Sequence, residues 1–276
     1  MAASDRFAVP VYRDLLDLTG RGYVVIGAGN GMGRQSAHAL SQLGARVLCV
    51  DIDGERAETV AAEVGGVACV ADATDGADAA RMAVEAEQHL GRVHGVADVV
   101  GMARYAPLTS MAEEDWDWNQ RMVLRHGFLA VRHLGPLVAA GGGGSMVFVA
   151  SISGVSSAPF HGAYGAAKAG LISLVRTAAV ELKASEVRVN AVTPGNTATP
   201  RIAAQQGAAP EELATGSLSA HGSVADIASA IVFFCSDLSR HITGQNLAVD
   251  GGDLVKYPHD LGAAALPVGR AIGETS

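Results

Sequence analysis

Residues 23–40, "YVVIGAGNGMGRQSAHAL", run from an apolar strand through a glycine-rich turn into a helical pattern. The strand is apolar without a break, as a strand covered on both faces must be. The turn spaces Gly27, Gly31 and Gly33 as G-x-x-x-G-x-G. Glycines permit unusual backbone angles there and let the main chain approach a phosphate closely. A helix starting near Gly31 offers unpaired N–H groups and the positive end of its dipole to an anion. Alone, such a turn is a weak signal. In the first strand–helix unit of a longer series it points to a nucleotide. Gly27, Gly29, Asn30, Gly31, Met32 and Gly33 are therefore candidate cofactor contacts.

The series is present. Short Val-rich runs at 23–26, 46–50, 67–70, 95–100, 145–150, 187–192 and 246–249 alternate with helical stretches. This alternation implies a parallel sheet built from right-handed crossovers. An eight-fold barrel and an open doubly wound sheet both satisfy it. The glycine turn after the first strand favours the open sheet, where a dinucleotide's pyrophosphate binds at that place. The expected fold is α/β, a single Rossmann-like doubly wound parallel sheet of about seven strands with helices on both faces. One domain spans 1–276, with an extension at 1–17, a core at 18–252 and a tail at 253–276. Residues 200–222 lack a strand pattern and read as a mobile flap.

Composition agrees. Of 276 residues 49% are apolar but only 5% aromatic, and 34 are glycine, which suits close helix-on-sheet packing. The net charge of −8, with no basic patch, argues against a nucleic-acid partner. Cys49, Cys69 and Cys235 lie in apolar runs without metal-like spacing, so buried reduced thiols are expected and no metal. No run reaches the roughly 18 apolar residues of a membrane span. The first 20 residues carry acids and no apolar core, unlike a secretory signal. A soluble cytoplasmic protein is expected.

Asp51 ends the second strand, 18 residues after Gly33, close to where an acid bonds a ribose diol. Such an acid repels a 2′-phosphate, and no base immediately follows it, so the expected cofactor is NAD(H) rather than NADP(H). Ile52 follows Asp51 on the same wall. Asp72, with Ala73 beside it, ends the third strand and is expected at the adenine; capping the next helix is the plainer role.

A second stretch carries the chemistry. "FHGAYGAAKAG" (160–170) places Tyr164 and Lys168 one helical turn apart among small residues, and Ser151 lies 13 residues before Tyr164. "NAVTPGNTAT" supplies Asn190, Pro194, Gly195, Thr197 and Thr199, and "ITGQNLAVDGG" closes the pattern at 242–252. Together these motifs, in this order, resemble the short-chain dehydrogenase/reductase family from about Leu18 to Gly252. The resemblance implies an alcohol–carbonyl interconversion. Tyr164 would be the general acid/base. Lys168 would bond the nicotinamide ribose and lower the tyrosine's pKa, and Ser151 would hold the substrate oxygen. Lowering a tyrosine by about three pH units needs roughly 4 kcal/mol of differential stabilisation. A fixed ammonium and a positive nicotinamide ring can supply that in a dry cleft. Val100, Gly101, Pro194, Gly195, Thr197 and Thr199 would complete the cofactor contacts.

The chain departs from the family at three places. The usual N-N-A-G after the fourth strand reads Asp98-Val99-Val100-Gly101. The family's active-site asparagine, which holds a water linking the lysine to solvent, aligns with Val123. Three explanations compete there: main-chain carbonyls hold that water unaided, which is favoured; Arg125 or His126 substitutes; or the proton relay is impaired. Thr197 stands where Val or Ile is frequent.

On the substrate side, Met102, Arg104, Tyr105, Ser153, Phe160 and His161 fall near the reacting centre. The mixture is mostly apolar and suggests a hydrophobic secondary alcohol or ketone, alicyclic or steroid-like. Arg104 is a candidate for a substrate carboxylate, with a solvated arginine the alternative. The family resemblance implies a homodimer or homotetramer through helices 113–139 and 160–183. The rival reading is a non-catalytic NAD-binding or regulatory protein. An enoyl reductase would space the tyrosine and lysine more widely.

Overall fold

Successive strand residues face opposite sides of a sheet, so a strand apolar throughout needs a helix layer on each side. The computed structural model, which describes residues 9–216, 218 and 220–255, meets that demand. Strands β1 (Gly22–Ile26), β2 (Arg46–Asp51), β3 (Val67–Val70), β4 (Gly95–Asp98), β5 (Gly144–Val149), β6 (Val187–Pro194) and β7 (Asn246–Val249) form one sheet. All pair in parallel, in the order β3-β2-β1-β4-β5-β6-β7. The open edges at β3 and β7 exclude the barrel.

Helices α1 (Gly31–Gln42), α2 (Gly54–Val64), α3 (Gly76–Leu90), α4 (Glu113–Gln120), α5 (His126–Ala140), α6 (Gly162–Leu182), α7 (Pro200–Gln206), α8 (Pro210–Leu213) and α9 (Val224–Cys235) complete the described elements. Two cores result. Val24, Ile26, Leu48 and Val50 face α3, α5 and α6, whereas Tyr23, Val25, Val47 and Cys49 face α1, α2 and α9. The three cysteines are buried, and burial pushes each thiol up to about 12, which leaves them inert. No described helix is long and apolar enough to cross a membrane.

Three boundaries differ from the pattern, each for a local reason. β4 stops at Asp98 because the Asp98 carboxylate accepts the Val100 N–H (3.1 Å), turning the chain out of the sheet. The helix expected at 113–139 is interrupted by a π turn, Arg121–Arg125, between α4 and α5. Segment 200–222 holds α7 and α8, and Thr197 bridges to Gly222 at its base. Residues 1–8 of the extension and 256–276 of the tail lie outside the described residues.

β1 has β2 on one side and β4 on the other, so its flanking crossovers leave in opposite directions. A crevice opens at the carboxyl ends of the strands at such a switch point. The glycine turn closes its floor. Gly27 has φ +82°, and a Cβ on Gly33 would lie 1.9 Å from the Gly27 carbonyl oxygen. Helix α1 thus rests directly on the turn that precedes it. Gly33→Ala must push α1 off this turn. It is expected to cost at least about 2 kcal/mol and to weaken NAD+ binding, checked by thermal melting and by isothermal titration; an unchanged melt would contradict this packing.

Candidate active site

The crevice is a cleft of about 330 Å³. Gly27, Asn30, Gly31, Met32 and Gly33 line it from the turn and the start of α1. Asp51 and Ile52 line it from the end of β2, and Asp72, Ala73 and Thr74 from the end of β3. Val100, Gly101 and Met102 form the wall after β4, and Thr199, Pro200 and Arg201 the opposite rim. Gly29 sits under the turn. Pro194, Gly195 and Thr197 lie behind Thr199 at the end of β6 and do not line the cleft. A Cβ on Gly195 would meet the Asp250 backbone at 2.9 Å, so this glycine is required by packing on the chain after β7.

The two strand-end acids serve the loops that hold them. Asp51 accepts the Gly29 N–H (2.9 Å) and the Asp53 N–H (3.1 Å), and a Cβ on Gly29 would come within 2.7 Å of the carboxylate. It therefore ties the glycine turn to β2 and presents its remaining lone pairs to the cleft. Arg56 lines the same end but is paired with Asp53 (3.2 Å). Asp72 accepts from the Thr74 N–H (2.8 Å) and hydroxyl (2.7 Å) and faces Arg121 at 3.4 Å. Asp72 thus holds the turn in the cleft wall, and the helix cap, its plainer expected role, belongs to Asp75, which accepts the Ala77 and Asp78 N–H groups.

These features fit an extended dinucleotide. The floor is glycine where side chains would fill it. The N-terminus of α1 lines the cleft where it would face a phosphate, and an acid stands one strand away where a ribose diol would lie.

The reacting groups come from β5 and α6. Ser151 follows β5 and accepts the Ser153 N–H (3.1 Å). Burial pushes the Tyr164 phenol up to about 12, opposed by the neighbouring Ser151 hydroxyl and by the charge of Arg201. Lys168 is 2% exposed, and its ammonium donates to the Val149 carbonyl (2.7 Å) while lying 5.8 Å from the Tyr164 ring centroid. Burial pulls Lys168 down to about 8, and the Asp98 carboxylate resists the fall. Desolvation thus outweighs the Ser151 hydroxyl and the Arg201 charge at the Tyr164 phenol; the lowered pKa that the resemblance implies includes the positive nicotinamide ring. Small residues make the approach possible: a Cβ on Gly101 would stand 3.0 Å from Lys168 Nζ, and one on Gly154 would meet the Lys168 backbone at 2.8 Å.

The substrate side is partly as expected. His161 is held by Ser153 (Oγ···Nδ1 2.8 Å) and stacks on Tyr105 at 4.4 Å. Both rings meet Tyr164 edge-on, at 6.2 and 6.0 Å. Ser153 thus positions His161. Met102, Tyr105 and Phe160 are exposed around this opening, Phe160 in a left-handed backbone conformation at φ 69°. Arg104 is not brought to the site. Its guanidinium pairs with Asp115 (2.8 Å) and lies over Trp118 (4.3 Å), while Asn119 brackets its main chain. Sequence reasoning missed Arg201, whose charge acts on both Tyr105 and Tyr164. It also missed Leu108, which packs where Gly162 leaves room at the start of α6. Neither sits in a motif, so only the fold reveals them.

At Val123 the side chain is fully buried, and its carbonyl oxygen meets His126 Nε2 at 3.0 Å. His126 Nδ1 meets Asp98 Oδ2 at 2.7 Å. His126 thus bonds one of the main-chain carbonyls expected to hold the family's water.

Comparisons with known proteins agree with this geometry. A family model described as enoyl-(acyl carrier protein) reductase matches residues 27–253. The chain is 32% identical over 241 residues to a 3-oxoacyl-[acyl-carrier-protein] reductase of Thermotoga maritima, covering 85% of this chain and 98% of that protein. It is 34% identical over 250 residues to D-threitol dehydrogenase of Mycolicibacterium smegmatis, covering 87% and 95%. The solved 7α-hydroxysteroid dehydrogenase, complexed with NADH and 7-oxo glycochenodeoxycholic acid, superposes with a TM-score of 0.80 at 28% identity, covering 87% and 96%. The chain belongs to the short-chain dehydrogenase/reductase family. It is an NAD-dependent oxidoreductase acting on a CH–OH or ketone group.

Burying Lys168 has a consequence for stability. The folded chain releases this proton near 8, the unfolded chain near 10.5. Between those values the unfolded state holds more protons, so stability rises with pH; below 8 the full penalty, on the order of 3 kcal/mol, applies. Lys168→Met, measured without cofactor, is expected to melt roughly 5 °C higher at pH 7, the difference vanishing by pH 10.5. A lower melting temperature at pH 7 would contradict a strained lysine.

Proposed function

We propose that this protein interconverts a hydrophobic secondary alcohol and its ketone, with Tyr164 as general acid/base. The observation that carries the reading is the buried Lys168 ammonium, held on the Val149 carbonyl one helical turn from Tyr164 on α6, with the Ser151 hydroxyl beside the phenol. Structural lysines are almost never fully buried without a carboxylate, and perturbed groups of this kind gather at functional sites. NAD+, when bound, supplies a hydride acceptor and a positive ring. Gly27, Gly29, Asn30, Gly31, Met32 and Gly33 hold the pyrophosphate, and Asp51 takes the ribose diol, which excludes a 2′-phosphate. Val100, Gly101 and Thr199 enclose the other end, and Lys168 holds the second ribose. Ser151 donates to the substrate oxygen and orients it on the Tyr164 hydroxyl. In alcohol oxidation Tyr164 takes the hydroxyl proton; in ketone reduction it returns one. Lys168 stabilises the phenolate.

An apolar substrate is supported by Met102, Tyr105, Leu108 and Phe160, all exposed around the opening. The oxo bile acid of the hydroxysteroid enzyme is an alicyclic ketone of the same type, and a structure of levodione reductase superposes with a TM-score of 0.80 at 27% identity. The spacing of four between Tyr164 and Lys168 favours the alcohol–ketone reaction over reduction of an enoyl group. Phe128 on α5 and Val180 on α6 are exposed and support pairing through these helices.

The reading is tested by screening alicyclic and steroid alcohols with NAD+. Tyr164→Phe should lower kcat on the best substrate by about 10³-fold and leave NAD+ binding intact; a variant as active as wild type would remove Tyr164 from the mechanism. Asp51→Ala should weaken NAD+ by about tenfold, the loss of roughly one charge-assisted hydrogen bond, and narrow the preference over NADP+. Equal discrimination in the variant would show that another group excludes the 2′-phosphate.

A further inference from the structure

Asp98 and His126 are both wholly buried, and together they make an unbroken chain of hydrogen bonds. The Val100 N–H donates to Asp98 Oδ1 (3.1 Å), Asp98 Oδ2 meets His126 Nδ1 (2.7 Å), and His126 Nε2 meets the Val123 carbonyl (3.0 Å). A carbonyl oxygen only accepts, so Nε2 must carry a hydrogen. One further proton is then needed between Nδ1 and Oδ2. The pair therefore holds either imidazolium with carboxylate or imidazole with carboxylic acid. Its net charge is zero both ways, but its dipole differs.

The chain joins two parts of the site. At one end it fixes the wall whose Gly101 approaches Lys168 Nζ; at the other it caps a carbonyl within the π turn. The charged groups around it are few. From α6 come Lys168 and Tyr164. From the π turn, Arg121 and Arg125 point away and are held on Thr74. The neighbouring strands set Ile26 and Phe148 opposite Asp98, and the buried residues that α3 adds to this core, Ala79, Met82, Ala86 and Leu90, are all apolar. Among the described residues, Asp98 is thus the carboxylate that acts on Lys168.

We propose that Asp98 and His126 are positioning residues for Lys168, a proton-sharing pair that brackets to the π turn the stretch of cofactor wall lying against the ammonium. No proton enters or leaves the pair. The inference rests on the role given to Lys168 above and goes beyond it in naming what keeps that buried lysine charged.

Asp98→Asn separates the bracket from the charge. The amide that replaces the carboxylate still accepts from Val100 and donates to His126 Nδ1, but both partners are then neutral and the dipole of the ion pair is lost. The experiment measures kcat/KM for NAD+-dependent alcohol oxidation from pH 6 to pH 10 in wild type and D98N. The alkaline limb of D98N is expected about one pH unit lower, so the ratio of activity at pH 9 to that at pH 6 falls about tenfold. Superimposable profiles would overturn the proposal. Lys168→Met in parallel tests the underlying role: wild-type activity there would remove the lysine from the mechanism, whatever D98N shows. Nitrogen NMR of histidine-labelled wild type gives a second decision that needs no variant. A hydrogen on His126 Nε2 throughout pH 6 to 9 supports the pair, and a bare Nε2 overturns it.

Discussion

The site depends on one costly arrangement, the ammonium of Lys168 enclosed between α6 and the end of β5. Its hydrogen bond to the Val149 carbonyl satisfies a donor but supplies no full counter-charge. Desolvation therefore wins and draws the lysine down to about 8. The surrounding elements make that enclosure possible. The glycines at 101 and 154 leave no room for a side chain beside it. The sheet order puts the cofactor cleft at the same end of β1 and β4. The helix that carries Lys168 also carries Tyr164, so a single rigid element sets their separation.

Two of the departures from the family pattern are connected in space: Asp98 and Val123 meet through His126 in one buried chain of hydrogen bonds. The amide missing at Val123 is answered three residues later by an imidazole that bonds back to the Val123 carbonyl. That carbonyl lies within the π turn Arg121–Arg125.

Much of this is legible in the sequence because it rests on local rules. Uninterrupted apolar strands, the glycine turn and the Tyr164–Lys168 spacing each express a requirement met within a few residues. The seven strands and the cleft follow from them. What is not legible depends on contacts distant in sequence. Asp98 and His126 are 28 residues apart and meet only once β4 and α5 are packed. Arg104 reads as available for substrate because nothing nearby in sequence betrays its pairing with Asp115 and Trp118. Arg201 reaches the reacting phenol from a segment with no motif. The state of Tyr164 is also hidden from the sequence, because its proton affinity in the free protein is set by enclosure more than by the neighbouring lysine.

A phenol held near 12 in the free protein must become a competent base once the positive cofactor ring lies beside it. Carbon NMR of Tyr164, labelled at Cζ and titrated with and without NAD+, measures this directly. Titration near 12 is expected without NAD+, and a fall of about three pH units or more in the complex. A tyrosine that titrates at the same pH in both states would contradict the mechanism.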